Sequence, residues 1–432
     1  MKVILVNKFH YHKGGSETYY FDVAEGLRRL GHEVHFFAME GPDNEPCEDE
    51  DLFVSAKDYN GPTGLGQKVS AATSLIYSKE AKRRFQELCE RVRPDMVHMN
   101  LVHRQITLSI LDAPYIKRHK VPVVFTSHDY ILVCPSYVML DGRGEVCDAC
   151  LGGRFLNCLK RKCVKGSTAK SGMAFAEAEF LKLTGAYRKV DRIIAPSEFM
   201  RGKLIEGGFP PEQVVHMQNF AKDEVLESAR DSEDRTDWES PYLLFFGRLS
   251  KEKGVDVLVD AFTRALPELP GNLRLVIAGD GPERPAIEGR LAGMARDDAA
   301  RIELVGFQAG GDMRRYAERA SLAIASSRCR ENMPYSIVEA FAFGTPVVGT
   351  DIGGIPELVT EGGTGFLAEP GDAESLSEAI IRGARLLQDR AAYAKMQSAC
   401  REYVLSHCDQ SRYMEELEAL YRTLIDRKKE TR

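Results

Sequence analysis

The 432-residue sequence contains no run of about 18 consecutive apolar residues, so no segment is typical of a membrane-spanning helix. It has a single tryptophan, and its 44% hydrophobic and 28% charged residues exclude a disordered or collagen-like chain. No targeting segment is apparent, because the apolar residues 3–6 are followed at once by Asn7 and Lys8. We therefore expect a globular cytoplasmic protein, which at about 150 residues per domain has two or three compact units.

Basic residues are too few for a nucleic-acid-binding protein: 58 Lys and Arg face 64 Asp and Glu, a net charge of -6. Residues 1–200, however, carry 28 basic and 25 acidic side chains, and seven of these acids lie between Glu40 and Asp51. The rest of this half is basic. We expect it to face an anionic acceptor or lipid headgroups. Contact with lipid headgroups would place the protein peripherally at the inner face of a membrane.

Short apolar runs alternate with amphipathic stretches, which predicts an α/β protein built from βαβ units on parallel sheets. The predicted strands cover residues 3–6, 34–37, 96–99, 121–126, 192–195, 242–246, 273–277, 302–305, 322–325 and 346–349. A polar, charged stretch divides them into two series. We predict a first domain at 1–220, a linker at 221–240, a second domain at 241–408, and a C-terminal helix at 409–432 that crosses back to the first domain.

Two loops of the first half follow predicted strands, at the sheet edge where open α/β proteins bind ligands. Gly14 and Gly15 precede a helix whose N-terminal N–H groups could hold an anion, and a plain turn is the alternative. His128 and Asp129 follow the fourth strand. An imidazole titrates near neutral pH and suits catalysis there, whereas a structural histidine is the alternative.

In the second half, Arg248 and Lys253 flank a strand-to-helix turn, where a guanidinium and an ammonium could bind a diphosphate. A solvated charged loop is the alternative. The next strand leads into the glycine turn at 279–282. No GxGxxG or GxxxxGK[ST] motif occurs, so neither a dinucleotide oxidoreductase nor a P-loop enzyme is indicated.

Two glutamates, Glu331 and Glu339, are separated by seven residues, Asn332 to Val338. The first is predicted to lie in a loop and the second two turns into a helix, so the two carboxylates could bind hydroxyls at separate ends of one polyol ligand. Further along, Gly353 and Gly354 precede another helix and form a second candidate phosphate cradle.

Five of these segments resemble, in this order, the retaining glycosyltransferases of family 4, which have the two-domain GT-B fold. They are residues 14–15, 247–254, 279–282, 331–339 and 353–354. The resemblance covers nearly the whole chain. It implies two Rossmann-like domains facing across a cleft, and a nucleotide-sugar donor held mainly by the second. The catalytic residues it implies are His128, Glu331, Arg248 and Lys253. The donor-binding residues it implies are Gly14, Gly15, Arg248, Lys253, Gly281, Asn332, Met333, Glu339, Gly353 and Gly354.

The resemblance predicts that the protein transfers a sugar from a UDP- or GDP-linked donor to an acceptor hydroxyl, with retention, in glycan, polysaccharide or glycolipid assembly. Asn332-Met333-Pro334 stands where many members have Gly-Phe-Gly, so contacts to the sugar differ in detail. A sugar-nucleotide epimerase or phosphorylase of the same architecture, or a non-catalytic sugar-nucleotide-binding protein, is the alternative.

Five of the ten cysteines lie within thirty residues: Cys134, Cys147, Cys150, Cys158 and Cys163. In a chain without a secretory signal, this density favours a metal site over free thiols. We predict that a Cys-rich insert at about 134–165 binds a structural zinc through the last four, with Cys134 outside the site. An iron–sulfur cluster is the alternative.

The segment Asp49-Glu50-Asp51 has the DxD form that metal-dependent sugar transferases of another fold use. No predicted strand precedes it, and we interpret it as solvated charge. We therefore expect no catalytic metal ion.

Overall fold

The computed structural model describes residues 1–56, 73–231, 240–308 and 310–430, which form two compact units. The first unit comprises Met1–Asn219 with Ser411–Arg432, and the second comprises Phe220–Gln410. Each unit has a hydrophobic core of its own. The predicted α/β class and its two parallel sheets are confirmed.

The sheet of the first unit has six parallel strands in the order β2-β1-β3-β4-β5-β6. They are β1 (Lys2–Val6), β2 (Glu33–Phe37), β3 (Met96–Met99), β4 (Val123–Thr126), β5 (Arg192–Ala195) and β6 (Val214–His216). Helices cover the sheet: α1 (Gly15–Arg29), α2 (Lys79–Val92), α3 (Pro114–His119), α4 (Leu156–Lys160), α5 (Thr168–Leu183) and α6 (Glu198–Glu206). Strands β3 and β4 are buried throughout, as expected of central strands in a parallel sheet.

The second unit also has a sheet of six parallel strands, in the order β12-β11-β10-β7-β8-β9. Its strands are β7 (Tyr242–Phe246), β8 (Arg274–Ala278), β9 (Ile302–Gly306), β10 (Leu322–Ala325), β11 (Val347–Thr350) and β12 (Gly365–Ala368). Its helices are α7 (Asp223–Asp231), α8 (Val255–Ala265), α9 (Arg284–Ala292), α10 (Arg296–Ala299), α11 (Gly310–Arg319), α12 (Tyr335–Ala342), α13 (Ile355–Leu358), α14 (Ala373–Leu386) and α15 (Arg390–His407).

The last helix, α16 (Gln410–Glu430), packs within the first unit. The Tyr413 hydroxyl is 2.6 Å from the hydroxyl of Tyr19 on α1, and the Tyr421 hydroxyl is 2.5 Å from Nδ1 of His98 on β3. All four side chains are buried. Buried polar groups need such partners, so these bonds fix the helix to the unit.

The predicted linker is wrong for residues 223–231, which form α7 inside the second unit. Leu226 and Ala229 are buried against α12 and α15. The stretch is polar on average, but its apolar side chains recur at helical spacing and bury one face. Residues 232–239 of the predicted linker lie outside the described residues.

In the described parts of the chain, no helix is long and apolar enough to cross a membrane.

Candidate functional site

The carboxyl ends of parallel strands gather the candidate loops of the second unit at one sheet edge. Residues 247–254 follow β7, 279–282 follow β8, 326–334 follow β10 and 351–354 follow β11. Backbone hydrogen bonds join neighbouring loops: Leu249 N–H donates to the Asp280 carbonyl at 2.9 Å. Gly281 has φ +159, and a Cβ at this position would collide with the Leu249 carbonyl. Glycine is therefore required for the close approach of these two loops.

Lys253 and Glu331 form an ion pair in this loop cluster, with 2.6 Å between Lys253 Nζ and Glu331 Oε1. The Ser327 hydroxyl donates to the same Oε1, also at 2.6 Å. Burial is the largest single effect and opposes the charge on each group, but the opposite charge of the partner and the hydrogen bonds together outweigh it. The pKa of Lys253 is raised and that of Glu331 is lowered, so both remain charged at neutral pH.

The Arg248 guanidinium is exposed, and no described residue forms a hydrogen bond or ion pair with its side chain. It belongs to the same loop as Lys253, whose ammonium is partly buried. The loop therefore has one cation held by a carboxylate and another available to a ligand.

Gly353 and Gly354 support the backbone of Glu331. Gly354 N–H donates to the Glu331 carbonyl at 2.8 Å. Gly353 has φ +64, and a Cβ there would collide with the same carbonyl. The glycine pair thus has a visible structural task, and its predicted contact with phosphate stays a prediction.

Glu339 lies on α12, partly exposed, and its carboxylate receives no hydrogen bond from the described residues. Burial raises the pKa of Glu339 to about 7, and Lys222 opposes this rise only in part. A largely desolvated carboxylate without a donor is disfavoured in its charged form. A ligand that supplies hydroxyl donors would stabilise that form.

The two residues predicted to contact the donor next to Glu331 differ in placement. Met333 is 7% exposed and packs in the second unit's core with residues such as Ile337 and Phe341. The structure therefore does not bring the Met333 side chain to the loop cluster, because an apolar side chain at this position gains more from burial. Asn332 is half-buried.

In the first unit, His128 follows β4, and its Nε2 is 2.8 Å from Oδ1 of Asn100, which follows β3. This amide oxygen only accepts, so Nε2 carries the proton of the neutral ring. The ring also packs edge-on against Tyr19, with centroids 4.9 Å apart. Burial lowers the pKa of His128 to about 3, so the imidazole is neutral at physiological pH.

Asp129 lies beside His128 and accepts a hydrogen bond from Ile131 N–H at 3.0 Å. Burial raises its pKa, and the charges of Lys8 and Arg104 oppose that rise. Burial also lowers the pKa of Lys8, which follows β1. Charged groups of both signs therefore share this edge of the first sheet with His128.

The predicted cradle at Gly14 and Gly15 already contains a carboxylate. Helix α1 begins at Gly15, and Glu17 in its first turn accepts hydrogen bonds from Asn7 Nδ2 at 3.2 Å and Ser16 Oγ at 2.9 Å. This negative charge at the helix N-terminus disfavours a second anion there. Binding of phosphate by this loop stays a prediction.

Burial raises the pKa values of Cys134, Cys150 and Cys158, and neighbouring thiols add to this rise: Cys163 acts on all three, and Cys134 acts on Cys150 and Cys158. A hydrogen bond between Cys158 and Cys163 raises the pKa of the first and lowers that of the second to about 7. Cys147 instead influences only Cys150 among them, and its Sγ accepts a hydrogen bond from Arg161 at 3.3 Å.

The cluster therefore differs from the predicted ligand set, since Cys134 lies inside it and Cys147 at its margin. Across the described residues, no three or more His, Cys, Asp or Glu side chains are arranged to hold a metal ion. Cys150 and Cys158 instead pack with Phe155 and Ala174 in a small core.

The interpretation of the DxD segment as solvated charge is wrong for Asp49, which is 4% exposed. Its carboxylate accepts from Phe36 N–H at 2.9 Å and pairs with His35 and Arg91. These bonds tie the segment to β2, and a buried carboxylate requires such partners.

Two features were missed by sequence reasoning. Phe307 follows β9 at the loop edge of the second sheet and is 75% exposed, which is unusual for a large aromatic side chain. The sequence could have indicated it, because Gly306-Phe307 directly follows a predicted strand. Asn100, the partner of His128, follows β3 at the first sheet's loop edge and could have been found in the same way.

Comparison with known proteins agrees with this architecture. A model of the family described as "Glycosyltransferase Family 4" matches residues 13–224, and one described as "Glycosyl transferases group 1" matches residues 240–388. Among curated proteins, the amylovoran biosynthesis glycosyltransferase AmsK of Erwinia amylovora is 29% identical over 193 residues, covering 43% of this chain and 46% of that protein. The lipopolysaccharide 1,2-N-acetylglucosaminetransferase of Salmonella typhimurium is 29% identical over 208 residues, covering 44% and 52%.

The chain thus spans about half the length of these curated relatives. A solved structure of Anabaena Alr3699/HepE in complex with UDP has the same fold, with a TM-score of 0.66 at 19% identity over 98% of this chain and 100% of that one. The two family models match consecutive parts of the chain, and both parts form units with parallel sheets. These matches assign the chain to a family. The chain belongs to the family 4 glycosyltransferases with the GT-B fold.

Proposed function

We propose that the protein transfers a sugar from a nucleotide diphosphate sugar, UDP- or GDP-linked, to an acceptor hydroxyl with retention of anomeric configuration. The observation that carries the proposal is the Lys253–Glu331 ion pair, with the exposed Arg248 in the same loop cluster. Two cations at a sheet edge suit a diphosphate, and a carboxylate beside them suits sugar hydroxyls. Arg248 and Lys253 would supply the positive charge that other transferases draw from a metal ion.

The donor would change the partners of Lys253. As the diphosphate enters, the ammonium gains a second anionic neighbour, and Glu331 can accept hydrogen bonds from the transferred sugar. When the glycosidic bond breaks, negative charge grows on the leaving phosphate, and both cations stabilise it. Front-face attack by the acceptor, assisted by the leaving phosphate, would give retention.

Names of related proteins support the donor and the pathway class. AmsK is named for amylovoran biosynthesis, and the Anabaena protein was solved with UDP and with UDP-glucose. We propose a glycan or lipid-linked acceptor, reached by the basic first unit in peripheral contact with the cytoplasmic face of a membrane. Phe307 is exposed where it could stack on the nucleobase.

Incubation with radiolabelled UDP- and GDP-sugars and a membrane lipid or glycan extract tests the activity. We expect label on the acceptor, and an α-linked product from an α-linked donor. Interconverted sugar nucleotide, or released sugar phosphate without acceptor labelling, would instead indicate the epimerase or phosphorylase alternative. Nucleotide binding without turnover would indicate a sensor.

Glu339 should make donor affinity depend on pH. If its carboxylate accepts the ribose hydroxyls, binding needs the ionised form, whose pKa is raised to about 7 in the free protein. Affinity for UDP-glucose should be full above this pKa and weaken by about tenfold per pH unit below it. UDP-glucose is the right probe because, unlike UDP, it has no terminal phosphate group that titrates in this range.

Calorimetric titration with UDP-glucose at several pH values from about 8 to about 5.5 measures this dependence, because the interval extends at least about one pH unit to either side of the Glu339 pKa. Glu339→Gln should bind more weakly at pH 8 and lose the pH dependence. Glu378→Gln, an exposed change on α14, is the matched control and should behave as the wild type. A pH-dependent Glu339→Gln variant with unchanged affinity would remove the assigned role.

We also propose that the Cys-rich insert binds one structural zinc ion. Support comes from the clustering of its thiols and from its small core, which offers little packing of its own. Cys150, Cys158 and Cys163 are common to the predicted set and the observed cluster. The fourth ligand would be Cys147 by sequence spacing or Cys134 by position, and the thiols would have to turn toward each other.

Elemental analysis of the purified chain should find about one zinc and no iron. Cys134→Ser and Cys147→Ser form a matched pair: the variant that loses zinc and melts at lower temperature identifies the fourth ligand. Cys89→Ser, a buried thiol on α2, controls for loss of packing without metal loss. Iron in place of zinc would support the iron–sulfur alternative, and a metal-free, equally stable protein would refute the site.

A further inference from the structure

Exposed apolar side chains are concentrated around the Cys-rich insert. The strongly exposed large hydrophobic side chains among the described residues are Leu30, Tyr137, Val146, Leu156, Leu183 and Phe307. Four of these six belong to residues 137–183. Leu183, at the end of α5, is 82% exposed. Single exposed apolar residues are ordinary, but a concentration in one segment marks an interaction surface.

The middle of this segment is strongly basic. Residues 154–170 contain six Lys and Arg side chains and no Asp or Glu. All six are exposed. They are Arg154, Lys160, Arg161, Lys162, Lys165 and Lys170. Arg161 is 3.7 Å from Asp141, and the other five make no ion pair with any described residue.

Contacts between α4 and α5 show that these features share one compact piece. Lys182 Nζ donates to the Gly153 carbonyl at 2.8 Å. Lys182 precedes Leu183, and Gly153 lies three residues before Leu156, so this bond joins the end of α5 to the start of α4. At its other end, Leu159 faces Gly172, beside the cations that follow α4. The exposed leucines and the basic side chains therefore belong to one packed helix pair.

We propose that this surface of the first unit, formed by α4, α5 and the loop between them, docks onto the headgroup region of an anionic lipid bilayer. Apolar side chains that enter the interface and cations that meet anionic headgroups are the combination that holds peripheral proteins on membranes. An anionic polysaccharide would use the cations but gain little from Leu156 or Leu183. The proposal rests on the proposed function in one respect, since a lipid-linked acceptor gives the docking its purpose.

Co-sedimentation of the full chain with phosphatidylcholine vesicles, with and without phosphatidylglycerol, tests the surface directly. Binding should require phosphatidylglycerol and fall with added salt. Each lysine near an anionic surface contributes about a fivefold factor to partitioning. The double charge reversal Lys160→Glu with Lys170→Glu should therefore reduce binding by at least about tenfold.

Leu156→Ser with Leu183→Ser tests the apolar contribution and should also reduce binding several-fold. Two matched controls should bind as the wild type: Arg264→Glu with Lys395→Glu, exposed cations of the second unit, and Leu30→Ser, an exposed leucine elsewhere in the first. Unchanged UDP-glucose affinity and thermal midpoint in every variant will show that folding and the donor site are intact.

Normal vesicle binding by the leucine variant with loss in the lysine variant would overturn the proposal, because binding would then depend on charge alone and the exposed leucines would not enter the bilayer interface. Equal loss in the control variants would overturn it as well. A chain that binds UDP-glucose but no vesicle refutes the docking surface and leaves the proposed function standing. A chain that binds vesicles but no nucleotide sugar supports the surface while refuting the function.

Discussion

Lys253→Ala and Arg248→Ala should each lower kcat for sugar transfer by about 10² or more, the scale for loss of a group that stabilises transition-state charge. The two variants should differ in donor affinity. Removal of Arg248 takes away a cation that has no partner among the described residues, so donor binding weakens. Removal of Lys253 also breaks the ion pair at 2.6 Å, so the Glu331 carboxylate is left without its cation next to an incoming diphosphate.

The matched control is Lys251→Ala, an exposed lysine in the same loop that makes no hydrogen bond or ion pair with a described side chain. It should keep wild-type turnover. Near-normal kcat in Lys253→Ala, or an equal loss in Lys251→Ala, would show that the assigned pair is not where leaving-group charge is stabilised. Activity abolished by EDTA and restored by Mg²⁺ would contradict metal-independent transfer.

His128→Ala should lower kcat for sugar transfer by about 10², the scale of a misplaced reacting group. Affinity for UDP-glucose should change little, because we place the donor mainly on the second unit. The imidazole is neutral, with its Nε2 proton bonded to Asn100, so we expect it to orient the sugar rather than to act as a base. Its lowered pKa, about 3, also predicts that it adds no ionisation near pH 6.5 to the rate profile.

Asn100→Ala tests the positioning of this ring. It should lower kcat less than His128→Ala does and leave KM for the donor unchanged. His407→Ala, an exposed histidine at the end of α15, is the control. A folded His128→Ala variant with wild-type turnover would leave the residue as part of the scaffold.

Central strands were the most predictable part of the fold. Predicted residues 96–99, 192–195, 242–246 and 322–325 coincide with β3, β5, β7 and β10. The strands that were missed, β6 and β12, are the last in their sheets. An edge strand is paired on one side and only partly buried, so its sequence carries less of the apolar run that reveals a central strand. The other two edge strands, β2 and β9, were predicted, and they have five residues each where β6 has three and β12 has four.

The candidate site was predictable as a set of loops but not as a set of contacts. Spacing in the sequence placed Lys253 and Glu331 after different strands, and only the strand order brings their charges together. Met333 was placed among the donor-binding residues by resemblance alone; its side chain packs in the core of the second unit, and its contact with the donor stays a prediction. In the insert, spacing favoured Cys147 over Cys134, whereas in the fold Cys134 influences the pKa values of Cys150 and Cys158 and Cys147 influences that of Cys150.

The central claim is that the loops around the Lys253–Glu331 pair bind the nucleotide diphosphate sugar. Amide hydrogen exchange of the whole chain, with and without saturating UDP-glucose or GDP-mannose, tests it most directly. We predict that the nucleotide sugar slows exchange in residues 247–254, 279–282 and 327–339. Protection confined to the first unit, or absent from all three of these loops while the ligand is bound, would contradict the account.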